Sequence, residues 1–197
     1  MKRLLIAILL ALPLLAAPAQ AQTTEEQHLE FMGIPIDGTL NAFARKLQAK
    51  GMKIIDRENG TISLSGNFAG DNDCSIFLLG TSKNEIWRAA VASSTHYSWS
   101  SLADRYFTLK NMLAQKYGDP ISVEEFQVLY TPNSDSDKWH CVIMDQCNYA
   151  ATYITENGQI DLSIINYGIL AGGAAVMLKY TDQANSQNKL DSIMDDL

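Results

Sequence analysis

The sequence predicts an α+β fold, an antiparallel sheet with two amphipathic helices on one face. Two segments, near 40–50 and 102–117, carry apolar residues at helical spacing on a single stripe. Between and after them, short segments alternate apolar and polar residues beside Asn-Gly turns. Regular strand–helix–strand alternation, the mark of a parallel sheet, does not occur.

The chain opens on an export signal. Lys2 and Arg3 precede the apolar run LLIAILLALPLLAA, and Ala19-Gln20-Ala21 fits the small-x-small pattern of signal peptidase, placing cleavage before Gln22. The run is shorter than the ~20 residues of a spanning helix and contains Pro13. A lipoprotein would need a cysteine at the cleavage point, and the first is Cys74. The expected organisation is a signal peptide at 1–21 and a single α+β domain at 22–185, with lobes 29–95 and 96–185 as an alternative division. A C-terminal tail or short helix follows at 186–197. After processing no transmembrane segment remains, and the chain is expected in the periplasm or outside the cell.

Removing the signal removes two basic residues and no acidic one, so 13 Lys and Arg face 22 Asp and Glu, a net charge of −9. Such a field repels phosphate backbones and anionic membrane surfaces, which sets nucleic acid aside as a partner. An apolar content of 47% is enough to build a core.

The first helix is expected in FMGIPIDGTLNAFARKLQAKGM. Leu40, Phe43, Ala44 and Leu47 form the stripe, Thr39 is the N-cap after an Asp37-Gly38 turn, and Gly51 allows a left-handed stop. Ile54-Ile55 then leads through Asn59-Gly60 to alternating Ile62 and Leu64, and strands are expected at 74–80 and 85–93. The second helix buries Leu102, Tyr106, Leu109, Leu113 and Tyr117, with Ser101–Asp104 as a capping box and Gly118 and Pro120 as the stop. Strands are expected at 122–130, 139–144 and 147–155, followed by a second Glu-Asn-Gly and alternating Ile160, Leu162 and Ile164. The glycine-broken run IINYGILAGGAAVMLKY reads as a strand, a bend and a last strand near 174–180. ENGTISLS resembles ENGQIDLS, and each follows a helix, so a degenerate helix-plus-strands repeat is one reading. Hairpin chemistry alone is the other.

The sequence supports no catalytic, metal or cofactor assignment. The histidines are His28, His96 and His140. SSTHYSWSS offers serines near His96 but lacks the G-x-S-x-G elbow and reads as a strand-to-helix loop. NSDSDK at 133–138 fails as a calcium loop, with Lys138 at the glycine position and Met144 where a bidentate Glu is required, and reads as a solvated loop. Glu124 and Glu125 would point to opposite faces of a strand. The three cysteines show neither zinc-site grouping nor C-x-x-C. The binding candidates are aromatic: Tyr97 and Trp99 before the second helix, and Trp139 after the acidic loop, a patch for a protein or carbohydrate ligand if they share one surface.

HLEFMGIPIDGTLNAFARKLQAKGM, YFTLKNMLAQKYGDP and MDQCNYAATYITENGQIDLSI together resemble a group of small exported proteins of Gram-negative gut bacteria without an assigned activity. In layout the chain is also similar to the beta-lactamase inhibitor protein and BamE-type envelope proteins, which set helices against an antiparallel sheet. These resemblances imply binding and bring no catalytic residue. They also bear on the disulfide expected of an exported chain. Cys141 and Cys147 flank VIMDQ, which as one strand would hold them about 20 Å apart. A tight turn at Asp145-Gln146 would instead bring them together. Cys74 and Cys147 each head a strand facing an apolar layer, and in the resembling group they look like the recurrent pair. The expectation is therefore Cys74–Cys147, with Cys141 outside the bond. The function expected is an exported, non-enzymatic binding module, inhibitor-like or envelope-associated. A hydrolase of envelope or dietary polymers is the alternative.

Overall fold

A computed structural model describes residues 27–125, 132–168 and 172–194. The segment assigned to the export signal lies outside them. Among the described residues the fold is α+β, with four helices and an antiparallel sheet of eight strands beside a hairpin of two two-residue strands.

That hairpin, β1 (Glu30–Phe31) and β2 (Ile34–Pro35), turns at Met32 and Gly33, both at positive φ. It delivers Phe31 into the core, where its ring stacks on Phe68 at 5.6 Å and meets Tyr180 at 5.2 Å. Helix α1 (Leu40–Ala49) follows as its stripe requires. Thr39 Oγ1 accepts from the Ala42 amide at 3.2 Å, and Leu40, Phe43, Ala44 and Leu47 are buried. Gly51, at φ +93°, lets the Met52 amide return to the Leu47 carbonyl.

Four strands follow: β3 (Lys53–Glu58), β4 (Thr61–Phe68), β5 (Asp71–Gly80) and β6 (Ile86–Ala92). Helix α2 (Trp99–Tyr117) begins one turn before the expected capping box, because Ser98 is the N-cap and its hydroxyl accepts from the Ser101 amide. Gly118 ends it at φ +83°. Then come β7 (Ser122–Glu125), α3 (Asp135–Ile143), β8 (Tyr149–Thr155), β9 (Gly158–Asn166), β10 (Ala174–Asp182) and α4 (Gln183–Met194).

Helix α3 corrects two expectations, a solvated loop at 133–138 and a strand at 139–144. Ser134 caps it by accepting from the Asp137 amide at 3.1 Å, and Asp135 and Asp137 sit in the first turn, where the helix dipole favours acid. Residues 126–130 of the strand expected at 122–130 lie outside the described residues. The C-terminal helix begins at Gln183, earlier than expected, directly after β10.

The sheet order is β3-β4-β5-β6-β10-β9-β8-β7. Each half is thus a helix and four strands, with α3 inserted between β7 and β8 in the second, and the halves join where β6 pairs antiparallel with β10. The two Asn-Gly turns are not equivalent in these halves. Asn59-Gly60 joins the first and second strands of its half, whereas Asn157-Gly158 joins the second and third of the other. The local match of ENGTISLS and ENGQIDLS is therefore hairpin chemistry at two different places.

Both long helices lie on one face of the sheet, α1 over β3–β5 and α2 over β8–β10. The core between them runs from Ile62, Leu64, Ile76 and Leu78 under α1 to Tyr153, Ile160 and Leu162 under α2. Asp182, fully buried, accepts from the amides of Leu29 and Asn185 and pairs with His28. The Asn185 side chain donates to the carbonyls of Ile36 and Ile86, both at 2.9 Å. These bonds tie the N-terminal hairpin, β6 and α4 into one corner.

Candidate functional site

The sheet register identifies what lies on the face away from α1 and α2. Directly paired residues share a face. One transverse row therefore runs Thr152, Asp161, Lys179, Ala90, Phe77 and Ser63. A second runs Ala150, Ser163, Met177, Ala92, Ser75 and Ser65. Neither α1 nor α2 lies over these two rows, and α4 packs against β6, β9 and β10. In the middle of the face Ala90 lies between Phe77 and Lys179, and Ala92 between Ser75 and Met177, while hydroxyl-bearing residues stand towards both ends.

Several of its polar groups hold one another. Asp161 accepts from the Thr152 hydroxyl at 3.0 Å and the Gln159 amide at 2.7 Å. Arg88 Nε donates to the Thr181 hydroxyl at 2.9 Å. Burial lowers the Arg88 pKa, and the Asp161 charge opposes that shift. One end of the face is closed by α4. A register shift between Leu79 and Gly80 leaves Trp87 unpaired beside Arg88. Its ring lies 4.0 Å from Lys189 Nζ and 4.3 Å from the Arg88 guanidinium.

The three sequence-predicted aromatics do not meet on one surface. Trp99 is only 7% exposed and packs against Tyr149 at 5.1 Å, under the helix layer. Trp139, on α3, is half-buried against the same core. Tyr97 is 70% exposed. Because His96 bridges to Ala174, Tyr97 falls opposite Gly173 on the uncovered face. A Cβ at Gly173 would come within 3.4 Å of the Tyr97 ring and 2.5 Å of the Thr95 methyl. Tyr97 thus stands at the rim of the open face, Trp99 is core, and Trp139 packs half-buried against that core.

Beneath α2 lies a polar cluster that the sequence did not reveal. Arg105 donates to the Ala69 and Phe68 carbonyls at 2.9 and 3.1 Å, and its Nε lies 3.7 Å from Asp71. Asp71 in turn accepts from the amide and hydroxyl of Ser94. Cys74 is buried beside it, and burial first, then the Asp71 charge, pushes its thiol up to about 11. A nucleophilic cysteine needs the opposite shift. The adjoining recess, lined by Phe68, Cys74, Ser93, Arg105 and Leu109, has no room for a water molecule. His96 meets a serine hydroxyl, but that of Ser101 at 3.2 Å, which also serves the helix cap. Burial lowers the imidazole pKa, partly offset by Asp71. The cluster acts as a clamp that fixes α2 on the β4–β5 turn.

No disulfide joins Cys74, Cys141 or Cys147. The sheet order sets Cys74 in β5 four strand spacings from β8, whose foot carries Cys147. At ~4.8 Å each that is about 19 Å, against the ~4.4–6.8 Å between Cα atoms that a disulfide spans. The expected Cys74–Cys147 bond does not fit this arrangement.

Among the described residues, no group of three or more His, Cys, Asp and Glu side chains is placed to hold a metal ion, and no helix is long and apolar enough to cross a membrane. Comparisons with protein-family models, curated proteins and solved structures return no match. No residue's role therefore comes to the site from a relative.

Proposed function

We propose that this protein is an exported, non-enzymatic binding module and that its partner, a protein, docks on the open face of the sheet. The observation that carries the reading is the one-sided architecture. Both long helices lie on one face, while the other carries small Ala90 and Ala92 between half-buried Phe77, Met177 and Lys179, with hydroxyl-bearing residues towards the ends. The size fits. Six strands from β4 to β8 cover about 24 Å laterally, and strands of seven residues or more run for about 23 Å or longer. The product, about 550–700 Å², approaches the ~800 Å² that each side of a standard protein–protein interface buries. An apolar centre with a polar rim is the usual anatomy of such interfaces. A small sugar favours a concave site instead.

The experiment is affinity capture from envelope extract of the producing bacterium, using the processed protein as bait. Ser75→Arg and Lys179→Glu, both on the open face, should abolish capture of any specific partner. Met112→Lys, on the exposed side of α2, should leave it intact. Loss with Met112→Lys and retention with both sheet variants would overturn the assignment.

A further inference from the structure

We propose that Cys141 and Cys147 form an intramolecular disulfide that clips the end of α3 to the foot of β8, with Cys74 remaining a thiol. The geometry that brings them together is the way α3 stops. Asp145 takes a left-handed conformation at φ +54°. Its amide donates to the Val142 carbonyl at 3.1 Å, and the Gln146 amide donates to the Cys141 carbonyl at 2.8 Å. This pair of bonds is a Schellman motif, in which the second residue past the helix returns to the carbonyl of its last turn. Cys147 follows at once. It therefore sits back beside the turn that carries Cys141, and not at the far end of an extended segment.

The surroundings agree. Cys141 is buried and Cys147 half-buried against the core. The two thiols are close enough that each raises the cost of ionising a common neighbour, Tyr149. Cys147 itself is pushed up to about 11, by burial and then by Cys141. A small cavity of about 20 Å³ beside Cys147, lined by Val142, Tyr149 and Ile164, gives the sulfur room to move. Cys74 lies under α1 and α2 in β5, with its thiol directed at the Asp71 carbonyl at 3.8 Å.

The reaction is thiol–disulfide exchange. One thiolate attacks a sulfur of a disulfide oxidant and expels one thiolate, and the second cysteine thiolate then attacks the protein sulfur of the mixed disulfide and expels the other. The two cysteines lose two electrons and two protons, and the oxidant leaves as two thiols. Outside the cytoplasm the oxidised form would persist. Closing this short loop restrains the unfolded chain, so oxidation should raise Tm by roughly 5–8 °C.

The test uses the purified full chain, oxidised under native conditions with glutathione disulfide and mapped without reduction. Proteolytic cleavage before Asp145 separates the two cysteines. The expected result is that the fragments stay joined until reduced, and that Cys74 alkylates only after unfolding. Cys74→Ser should keep the bond and the Tm rise, whereas Cys147→Ser, at a half-buried position, should lose both while remaining folded. A linked peptide containing Cys74, a disulfide-bonded dimer, or full alkylation of Cys141 and Cys147 after oxidation would overturn the proposal.

Discussion

The two Asn-Gly turns give a prediction that the sequence alone would get wrong. Both glycines follow Glu-Asn and both precede an alternating strand. Gly60, at φ +74°, has only the Gly80 carbonyl oxygen within 4 Å of an added Cβ, at 3.8 Å. Gly60→Ala should therefore cost only the left-handed penalty of about 1–2 kcal/mol. Gly158, at φ +155°, runs against the junction of β10 and α4. A Cβ there would stand 2.2 Å from the Thr181 carbonyl oxygen and 3.2 Å from the Gln183 amide. The obstacle is backbone, held by the Gln183 amide donating to the Asn157 carbonyl at 3.0 Å, and cannot swing aside. Strain of about 1–3 kcal/mol adds to overpacking of about 1–3 kcal/mol, giving about 4 kcal/mol for Gly158→Ala. At a urea dependence of about 2 kcal/mol per M, the unfolding midpoint should fall by about 2 M for Gly158→Ala and by under 1 M for Gly60→Ala. Equal shifts would refute the close approach of β9 to the β10–α4 junction.

Trp99→Ala should cost about 3–5 kcal/mol in the same assay, because its buried ring and its contact with Tyr149 are lost, while Tyr97→Ala at the exposed rim should stay within about 0.5 kcal/mol. A pH series tests His96. Its folded pKa lies below the ordinary 6.5, so the unfolded chain takes up the proton first, and the stabilisation present above pH 6.5 is lost as pH falls towards the folded value. His96→Gln should therefore flatten the decline in Tm over this window, and an unchanged slope would remove His96 as its source.

Much of the fold was legible because its determinants are local. Thr39, the Leu40–Leu47 stripe and Gly51 lie within one short segment, and the structure uses each as expected. Helix α3 was misread because Trp139, Cys141 and Ile143 alternate like a strand, and nine residues are too few for helical periodicity to override that pattern. The signal that could have found it was Ser134 with Asp135 and Asp137, a cap followed by first-turn acids. The pairing of β6 with β10 was not legible, since it depends on contacts between distant segments. The open face depends on it entirely, because only the registers bring Phe77, Ala90 and Lys179 into one row. Trp99 and Trp139 were aromatic in a polar context, and composition could not say which face would take them.

The docking face is tested most directly by a photo-crosslinking scan in the producing cell. A crosslinking amino acid is placed in turn at Phe77, Ser75, Met177 and Lys179 on the open face, and at Phe107 and Met112 on the outer side of α2. The expected result is one protein adduct of constant mass from the open-face positions and none from the helix positions. Adducts from α2 alone, or none from any open-face position, would contradict the assignment of that face as the binding surface.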